Sequence, residues 1–341
     1  MGPEVATNHR PRVSLVIPGR DCAATLLPCL QAVTAILLRD GSPLGEILFV
    51  DDGSRDGSAE LAAGFPVTVL RGAGRGAGAA RNLGWRAARH ELVWFVDSDC
   101  VASADALDGV LPELADPTVG AVGGSYDNAE ESSLLAALIH EEIRERHLRM
   151  GREVDFLATF HVVYRRSVLA QLGGFDERFL KGQDAELAFR AREAGHRLRF
   201  VEGSRVAHFH ETSWRQYLRT QRQQGHWRVF LHMERRGHAA GDSYSRLGDH
   251  LQPPVAVLGL AALPLACVDG LALAALAPWL LLAALQVPLT VRLLRRTGEP
   301  RMLAFAAMSA IRAVWRGVGM TGGVVAWWRA GRRAGGPRGR G

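Results

Sequence analysis

Apolar residues in the first hundred positions fall into short solid runs, each stopped by acidic or glycine-rich residues. The clearest run is Leu92–Val96, halted at Asp97-Ser98-Asp99-Cys100. Five apolar residues without polar alternation predict a strand buried on both faces. Val13–Ile17, closed by Pro18-Gly19, predicts another strand, as do Glu46–Val50, closed by Asp51-Asp52-Gly53-Ser54, and residues 67–70. Between them, apolar positions 26, 27, 30, 33, 36 and 37 have helical spacing and predict a helix over 23–38, broken by Gly41-Ser42-Pro43. A second helix opens with Ser58 as its N-cap, and a third follows the glycines of 72–78 and runs to about Arg89. Strands and helices alternating in this way predict a parallel sheet covered on both faces.

The pattern then loosens. Residues 130–149 have helical spacing and a charged end (Glu141, Glu142, Arg144, Glu145, Arg146), expected to be a solvated face with i,i+4 pairs. A β-rich stretch at Phe160–Tyr164 leads through Arg165-Arg166 into a short helix and a turn at Gly173-Gly174-Phe175-Asp176. Gly182-Gln183-Asp184 precedes a helix over 185–194, and 197–201 and 205–210 read as two strands.

From Pro253 to Arg292 the only strongly polar residues are Asp269 and Gln286. One membrane helix needs about 20 residues. The stretch is therefore read as a hairpin, 253–268 and 271–291, bent at Val268-Asp269-Gly270, either spanning or re-entrant. Arg246 precedes it and Arg292, Arg295, Arg296 and Arg301 follow, which predicts cytoplasmic ends. Residues 293–328, interrupted by Arg312 and Arg316 and carrying Trp315, Trp327 and Trp328, read as an amphipathic interfacial helix or a third, poorly spanning one. The Arg/Gly-rich tail, 329–341, is expected to be disordered near anionic lipid.

Composition narrows the classes. With 48% hydrophobic and 22% charged residues in 341, the chain is not a disordered one. Its net charge of +6 is almost all arginine, Lys181 being the only lysine. The membrane flanks and tail account for that charge better than nucleic acid does, because the first 200 residues lack aromatic–basic interleaving. Four cysteines without CxxC pairing are read as reduced structural thiols, and residues 1–12 show no secretory signal. Gly74-Arg75-Gly76-Ala77-Gly78 is not read as a dinucleotide fingerprint, because it does not follow the first strand of its βαβ unit.

Acidic residues end three separate elements: Asp51-Asp52, Asp97-Ser98-Asp99 and Asp184. The first two groups fall at carboxyl ends of parallel strands, where open α/β sheets bind ligands. Carboxylate oxygens there suit a hard cation shared with substrate phosphates, and a third carboxylate suits a general base. This division of labour fits group transfer from a nucleoside-diphosphate donor.

Val13–Asp21, the run Val50-Asp51-Asp52-Gly53-Ser54-Arg55-Asp56-Gly57-Ser58, Gly76–Gly84 with Ala80-Arg81-Asn82, Val96–Asp99, Gly173–Glu177 and Gly182–Leu187 resemble, in order, the motifs of family 2 glycosyltransferases. The resemblance covers about residues 12–212. It implies a GT-A fold, a Rossmann-like α/β architecture with a parallel-centred sheet and helices on both faces, followed by membrane-associated helices. It also implies the domain order: a flexible 1–11, a catalytic domain over 12–230 (donor half 12–125, acceptor half 126–230), a linker over 231–252, and the C-terminal segments above.

Matched position by position, the resemblance implies that Pro18 and Asp52 border the nucleobase, with Asp21 beside them on the donor side. Arg81 would lie near the donor phosphates. Asp99 would be the metal ligand, with Asp97 facing ribose or metal, and Mn²⁺ or Mg²⁺ would be the cofactor. Asp184 would be the base of an inverting displacement, with Gln183 on the acceptor side. His208 and His210 would point both rings to one face of a strand and could add metal contacts, a structural role for them staying open.

Three positions depart from the family pattern: Gln183 stands where Glu is usual, Asp21 where Asn is common, and His161 where a small polar residue or Asn is frequent. Gln223-Gln224-Gly225-His226-Trp227 resembles the QxxRW motif of processive synthases but has His226 for Arg, with Trp227 on the acceptor side. The expected activity is therefore single sugar addition, UDP-sugar favoured, to a lipid-linked or envelope glycan at the cytoplasmic membrane face. The alternatives are a polyprenyl-phosphate sugar synthase and a catalytically idle scaffold.

Overall fold

The computed structural model describes residues 12–129, 133–235, 242–245 and 247–333. In chain order its elements begin with β1 (Val13–Gly19), α1 (Ala23–Leu38), β2 (Leu44–Asp51), α2 (Ser58–Ala63), β3 (Thr68–Arg71), α3 (Ala77–Ala87) and β4 (Leu92–Val96). Then come β5 (Cys100–Ala102), α4 (Ala106–Val110), β6 (Val119–Asn128), α5 (Leu134–His147), β7 (Glu153–Val154), β8 (His161–Arg165) and α6 (Arg166–Leu172). The chain continues with α7 (Gln183–Glu193), β9 (Arg197–His208), α8 (Trp214–Glu234), α9 (Leu247–Ala262), α10 (Ala272–Thr297) and α11 (Ala304–Arg333). The chain divides into two compact units. One holds 12–127, 157–178 and 190–208, and the other holds 128–156, 179–189 and the residues from 209. The division interleaves the chain.

The first unit is built on one sheet ordered β3-β2-β1-β4-β8-β6-β9-β5. The β3, β2, β1 and β4 strands run parallel, and β8 joins β4 antiparallel. The solid apolar runs of β1, β2 and β4 are buried throughout, since α1, α2 and α3 cover the parallel half. All four predicted strands of this half are present. Ser58 is the first residue of α2 and not its cap, because Gly57 takes the capping position at φ +85°. β6 was not read from sequence: Gly120, Gly123 and Gly124 deplete it of strand-forming side chains.

The two strands expected at 197–201 and 205–210 are one strand, β9. Glu202-Gly203-Ser204 has turn composition, but none of the three takes a positive φ and Ser204 is buried. β9 stops at His208, so His210 lies beyond it.

The second unit is mainly helical, with the short β7 its one complete strand among the described residues. The charged end of α5 is not a solvated face: Glu142 and Arg146 are buried. Arg146 bridges Glu142 at 2.7 Å and Asp249 of α9 at 2.8 Å, and Glu142 also pairs with Arg312 of α11. Arg312 and Arg316 therefore do not mark an exposed interfacial face, because Arg316 in turn donates to Gln221 at 2.7 Å and Gln224 at 2.8 Å. The segment read as 293–328 is split between α10 and α11, which are joined by a 3-10 turn at Pro300–Leu303. α11 packs on α8 through glycines: a Cβ at Gly225 would sit 2.1 Å from the Arg316 carbonyl oxygen, and one at Gly319 2.0 Å from that of Arg222.

The described part of the expected linker is largely helical, since α8 runs to Glu234 and α9 starts at Leu247. The hairpin is present, with Leu247–Cys267 and Ala272–Thr297 both long and apolar enough to cross a membrane. Gly270, at φ +79°, makes the bend. Its basic flank is smaller than its arginine count, because Arg292 lies 3.2 Å from Glu145 and Arg296 2.5 Å from Glu141. Residues 1–11, Arg246 and the tail from 334 lie outside the described residues.

Burial alone would raise the Glu142 carboxyl, but Arg312 and Arg146 outweigh it and hold it at about 2. A carboxyl held below its unfolded value contributes stability above pH ~4.5 that is lost as pH falls towards ~2. Breaking such a buried pair costs about 3–5 kcal/mol. Glu142→Gln should lower the melting temperature of the detergent-solubilised chain at pH 7 and flatten its loss of stability between pH 5 and 3, as followed by thermal melts.

Candidate active site

The acidic residues at the carboxyl edge of the parallel strands have distinct partners. Asp51, buried, pairs with Arg71 at 2.8 Å and accepts the Ser54 amide at 3.1 Å. Burial acts to raise its carboxyl, but the hydrogen bonds of Ser54 and Arg71 hold it below the usual value. Asp52, 3% exposed, has both oxygens engaged by the glycine-rich loop: Oδ1 accepts the amides of Gly74 (2.9 Å) and Arg75 (3.1 Å), and Oδ2 that of Gly76 (2.6 Å). The loop opens α3, whose N-cap is Gly76. The Asp52 side chain thus ties the end of β2 to that loop, a duty beyond the nucleobase contact expected of it.

Pro18 is buried near the end of β1, in register with Val50. Asp21 takes φ +49°, and its carboxylate accepts the Arg55 amide at 2.8 Å while its own amide donates to Ser54 Oγ at 3.0 Å. Asp21 therefore joins the turn after β1 to the turn after β2.

Arg81, one turn into α3 and buried, donates from Nη2 to Asp97 Oδ1 at 2.6 Å and stacks over Phe175 at 5.7 Å. Its Nε and Nη1 are buried without partners. Two unmet donors on a buried cation fit an anionic ligand such as a diphosphate. Asn82, which sequence reasoning left without a role, is fully committed. It accepts from Trp85 Nε1 (2.9 Å) and the Phe175 amide (2.8 Å), and donates to the Phe175 carbonyl (2.8 Å) and Glu177 (2.9 Å). The Ala-Arg-Asn step is thereby clamped to the Gly173–Glu177 turn.

Asp99 Oδ1 lies 3.4 Å from His208 Nε2. β5 and β9 pair Cys100 with His208, which brings His208 beside the Asp-Ser-Asp step. Ligand atoms of Asp99, Cys100 and His208 all lie within 4.8 Å of one another. Burial works to raise the Asp99 carboxyl, but the facing His208 charge and hydrogen bond hold it below the usual range. Carboxylate oxygen with imidazole nitrogen is a donor set that fits Mn²⁺, and its oxygens fit Mg²⁺. His210 belongs to the second unit, where it is buried with Nε2 3.3 Å from His140 Nδ1. β9 ends at His208, so the H-x-H pair does not lie on a single strand.

In the second unit Asp184 stands in the first turn of α7, and its Oδ1 accepts the Ala185 amide at 2.9 Å. Gln183 is buried with Oε1 lacking a partner, while Glu186 pairs with Arg235 at 3.1 Å. Trp227 packs on Phe179 and Phe230, at ring distances of 5.8 and 5.3 Å. It borders the apolar cluster of Phe179, Ala185, Phe189 and Leu231 that supports α7.

Residues 11–226 match the family model described as glycosyltransferase like family 2. The chain belongs to the family 2 glycosyltransferases. Relatives include the pre-mycofactocin glycosyltransferase of Mycobacterium tuberculosis, 30% identical over 63% of this chain and 46% of that protein. The O-antigen chain rhamnosyltransferase WbaN of Salmonella anatum is 25% identical over 50% of this chain and 58% of its own length. The chain thus spans about half the length of these curated relatives. Among solved structures, the mannosyltransferase PcManGT of Pyrobaculum calidifontis, in complex with GDP-mannose and Mn²⁺, superposes with a TM-score of 0.58 at 23% identity. That likeness covers 90% of this chain and 88% of the other, and it shows the fold, GT-A.

Charge-assisted bonds from Asp52 hold the family's glycine-rich loop closed in this chain. Asp52→Ala should accelerate hydrogen exchange at the amides of Gly74, Arg75 and Gly76 at least ~10-fold, the effect of losing about 1.4 kcal/mol of local protection. Exchange in β4 should stay unchanged.

Proposed function

We propose that the chain is an inverting, divalent-cation-dependent glycosyltransferase. It moves one sugar from a nucleoside-diphosphate donor to a hydroxyl of a lipid-linked or envelope glycan at the cytoplasmic face of the membrane. The observation that carries this reading is the Asp99–His208 pair beside the Arg81–Asp97 bridge, at the carboxyl edge of the parallel strands. Asp99 and His208 would hold Mn²⁺ or Mg²⁺, with Asp97 adjoining. A bound cation there supplies neutralisation of charge developing on the leaving diphosphate. The unpaired Nε and Nη1 of Arg81 would meet the same phosphates. Pro18, Asp21 and Asp52 shape the nucleobase side through the turns after β1 and β2, and a UDP-sugar is the first donor to test.

Asp184 would take the proton of the acceptor hydroxyl as that oxygen attacks the anomeric carbon and the bond to the diphosphate breaks. Its neighbour Gln183 is neutral, so no second carboxylate adjoins it in sequence as the family pattern would have it. Membrane attachment is supported by the hairpin α9–α10, where Leu258, Leu273 and Leu280 are 61%, 80% and 59% exposed. Apolar surface of that extent needs a lipid or protein cover.

Base catalysis typically contributes 10²–10⁴-fold. Asp184→Asn should therefore lower kcat about 10³-fold in a nucleotide-sugar transfer assay, while calorimetry with UDP and Mn²⁺ gives unchanged binding. Asp99→Ala should abolish both transfer and cation-dependent nucleotide binding. A tolerant Asp184→Asn variant would point instead to a phosphate acceptor, which needs no base. Membrane attachment has its own check. Leu273→Asp with Leu280→Asp should shift the full chain from the vesicle fraction to the soluble fraction in flotation through anionic liposomes.

A further inference from the structure

His161, the departure from the family pattern that the site above leaves unused, sits fully buried on β8, in register with Val96 at the last position of β4 before Asp97. Trp94 Nε1 donates to its Nδ1 at 2.9 Å, and its Nε2 lies 2.8 Å from Ser204 Oγ on β9. An indole N–H can only donate, so Nδ1 accepts and the ring proton is on Nε2. Nε2–H therefore donates to Ser204 Oγ, whose own hydroxyl donates to the Ala106 carbonyl at 2.6 Å. The chain of donors is closed and directional, with every polar atom satisfied. Burial pushes the imidazole down to about 3, so the ring is neutral.

Between β8 and β9 lies β6, and the imidazole crosses it. It can do so because β6 carries Gly124 at that point. A Cβ there would stand 2.3 Å from His161 Cδ2 and 2.4 Å from the Ser204 carbonyl oxygen. The brace thus joins β4, through β8, to β9: His208 ends β9, and Asp99 lies in the turn that follows β4 and opens β5. β4 leads in three residues from Trp94 to Asp97 and on to Asp99, and β9 leads in four residues from Ser204 to His208, on the same face.

We infer that His161 is a positioning residue: a neutral imidazole that braces β4 to β9 across Gly124 and so sets the Asp99–His208 spacing that a divalent cation reads. The inference rests on the cation reading of that pair. The brace touches neither donor nor acceptor, and its effect passes through strand position. The expected consequence is a change in cation affinity and in the histidine's participation, beyond any change in stability.

The test uses the full-length chain in detergent, titrated with Mn²⁺ in the presence of UDP and followed by electron paramagnetic resonance, with the ¹⁴N coupling of a bound imidazole as the second readout. Wild type should bind Mn²⁺ with one ¹⁴N coupling, and His208→Ala should lose that coupling. His161→Asn keeps an acceptor for Trp94 but is too short for Ser204, and Ser204→Ala removes the same link from the other side. Each should weaken Mn²⁺ binding about tenfold and broaden or abolish the ¹⁴N coupling. The double variant should be no worse than either single, because one link is lost in all three. His161→Gln, which restores a donor at the Nε2 position, should recover most of the affinity. If His161→Asn and Ser204→Ala lose thermal stability but bind Mn²⁺ within twofold of wild type with the coupling intact, the brace is merely structural and the inference is overturned. Should His161→Asn fail to fold, Ser204→Ala, the loss of one hydroxyl, decides alone. If wild type shows no Mn²⁺ binding, the cation reading of Asp99 and His208 falls, and the inference falls with it.

Discussion

A carboxylate taken out of water costs several kcal/mol unless a donor or a cation meets it, and at one sheet edge this chain meets that demand for the buried Asp51 and Asp52 while leaving Asp97 and Asp99 part-exposed. Parallel strands end together, so Asp51, Asp52, Asp97 and Asp99 are brought to the same side. Each is answered differently: by an arginine, by backbone amides, by a second arginine, and by an imidazole. The answers differ in how completely they are spent. Asp51 and Asp52 are closed off within the fold, and they hold the turns and the glycine loop in place. Asp97 has a partner with spare capacity, since Arg81 keeps two unmet donors, and Asp99 is 41% exposed beside His208.

The same rule governs the helical unit with the opposite result. Glu142, Arg146, Asp249 and Arg312 satisfy one another from α5, α9 and α11. Such a network is weak evidence for extra stability, because hydrophobic packing could replace it at little cost. It joins α5, α9 and α11 through specific side-chain pairs. The glycines of α8 and α11 allow the close backbone approach, and the arginine pairs set the register.

What the sequence made legible divides along physical lines. The parallel half could be read because burial on both faces leaves solid apolar runs, and because strand ends are marked by Asp and Gly. β6 and the continuity of β9 were illegible: glycines that serve packing, at 120, 123 and 124, and the exposed in-strand Gly203 look the same as glycines that serve turns. The charged end of α5 was read as solvated because pattern alone cannot distinguish water from partners distant in sequence. Arg146 meets Asp249 across 103 positions and Glu142 meets Arg312 across 170. His208 could be proposed from its H-x-H spacing, and its strand pairing with Cys100 places it beside the Asp-Ser-Asp step. Asn82 and Ser204 carried no signal as single residues, since their work lies in what they join.

These arginine pairs bear on the membrane as well. Topology rules count basic residues near apolar segments, on the premise that each carries a free charge to the interface. In α10, Arg292 and Arg296 are committed to Glu145 and Glu141 of α5, and beyond it Arg301 pairs with Glu299. A paired arginine has much of its field cancelled at the distance of a lipid headgroup, where screening over about 8 Å already weakens it. The flank thus acts less as an electrostatic anchor than as a seam joining the hairpin to α5. The exposed leucines of the hairpin, not its arginines, then carry the argument for lipid contact, and the apolar area they leave uncovered sets its strength.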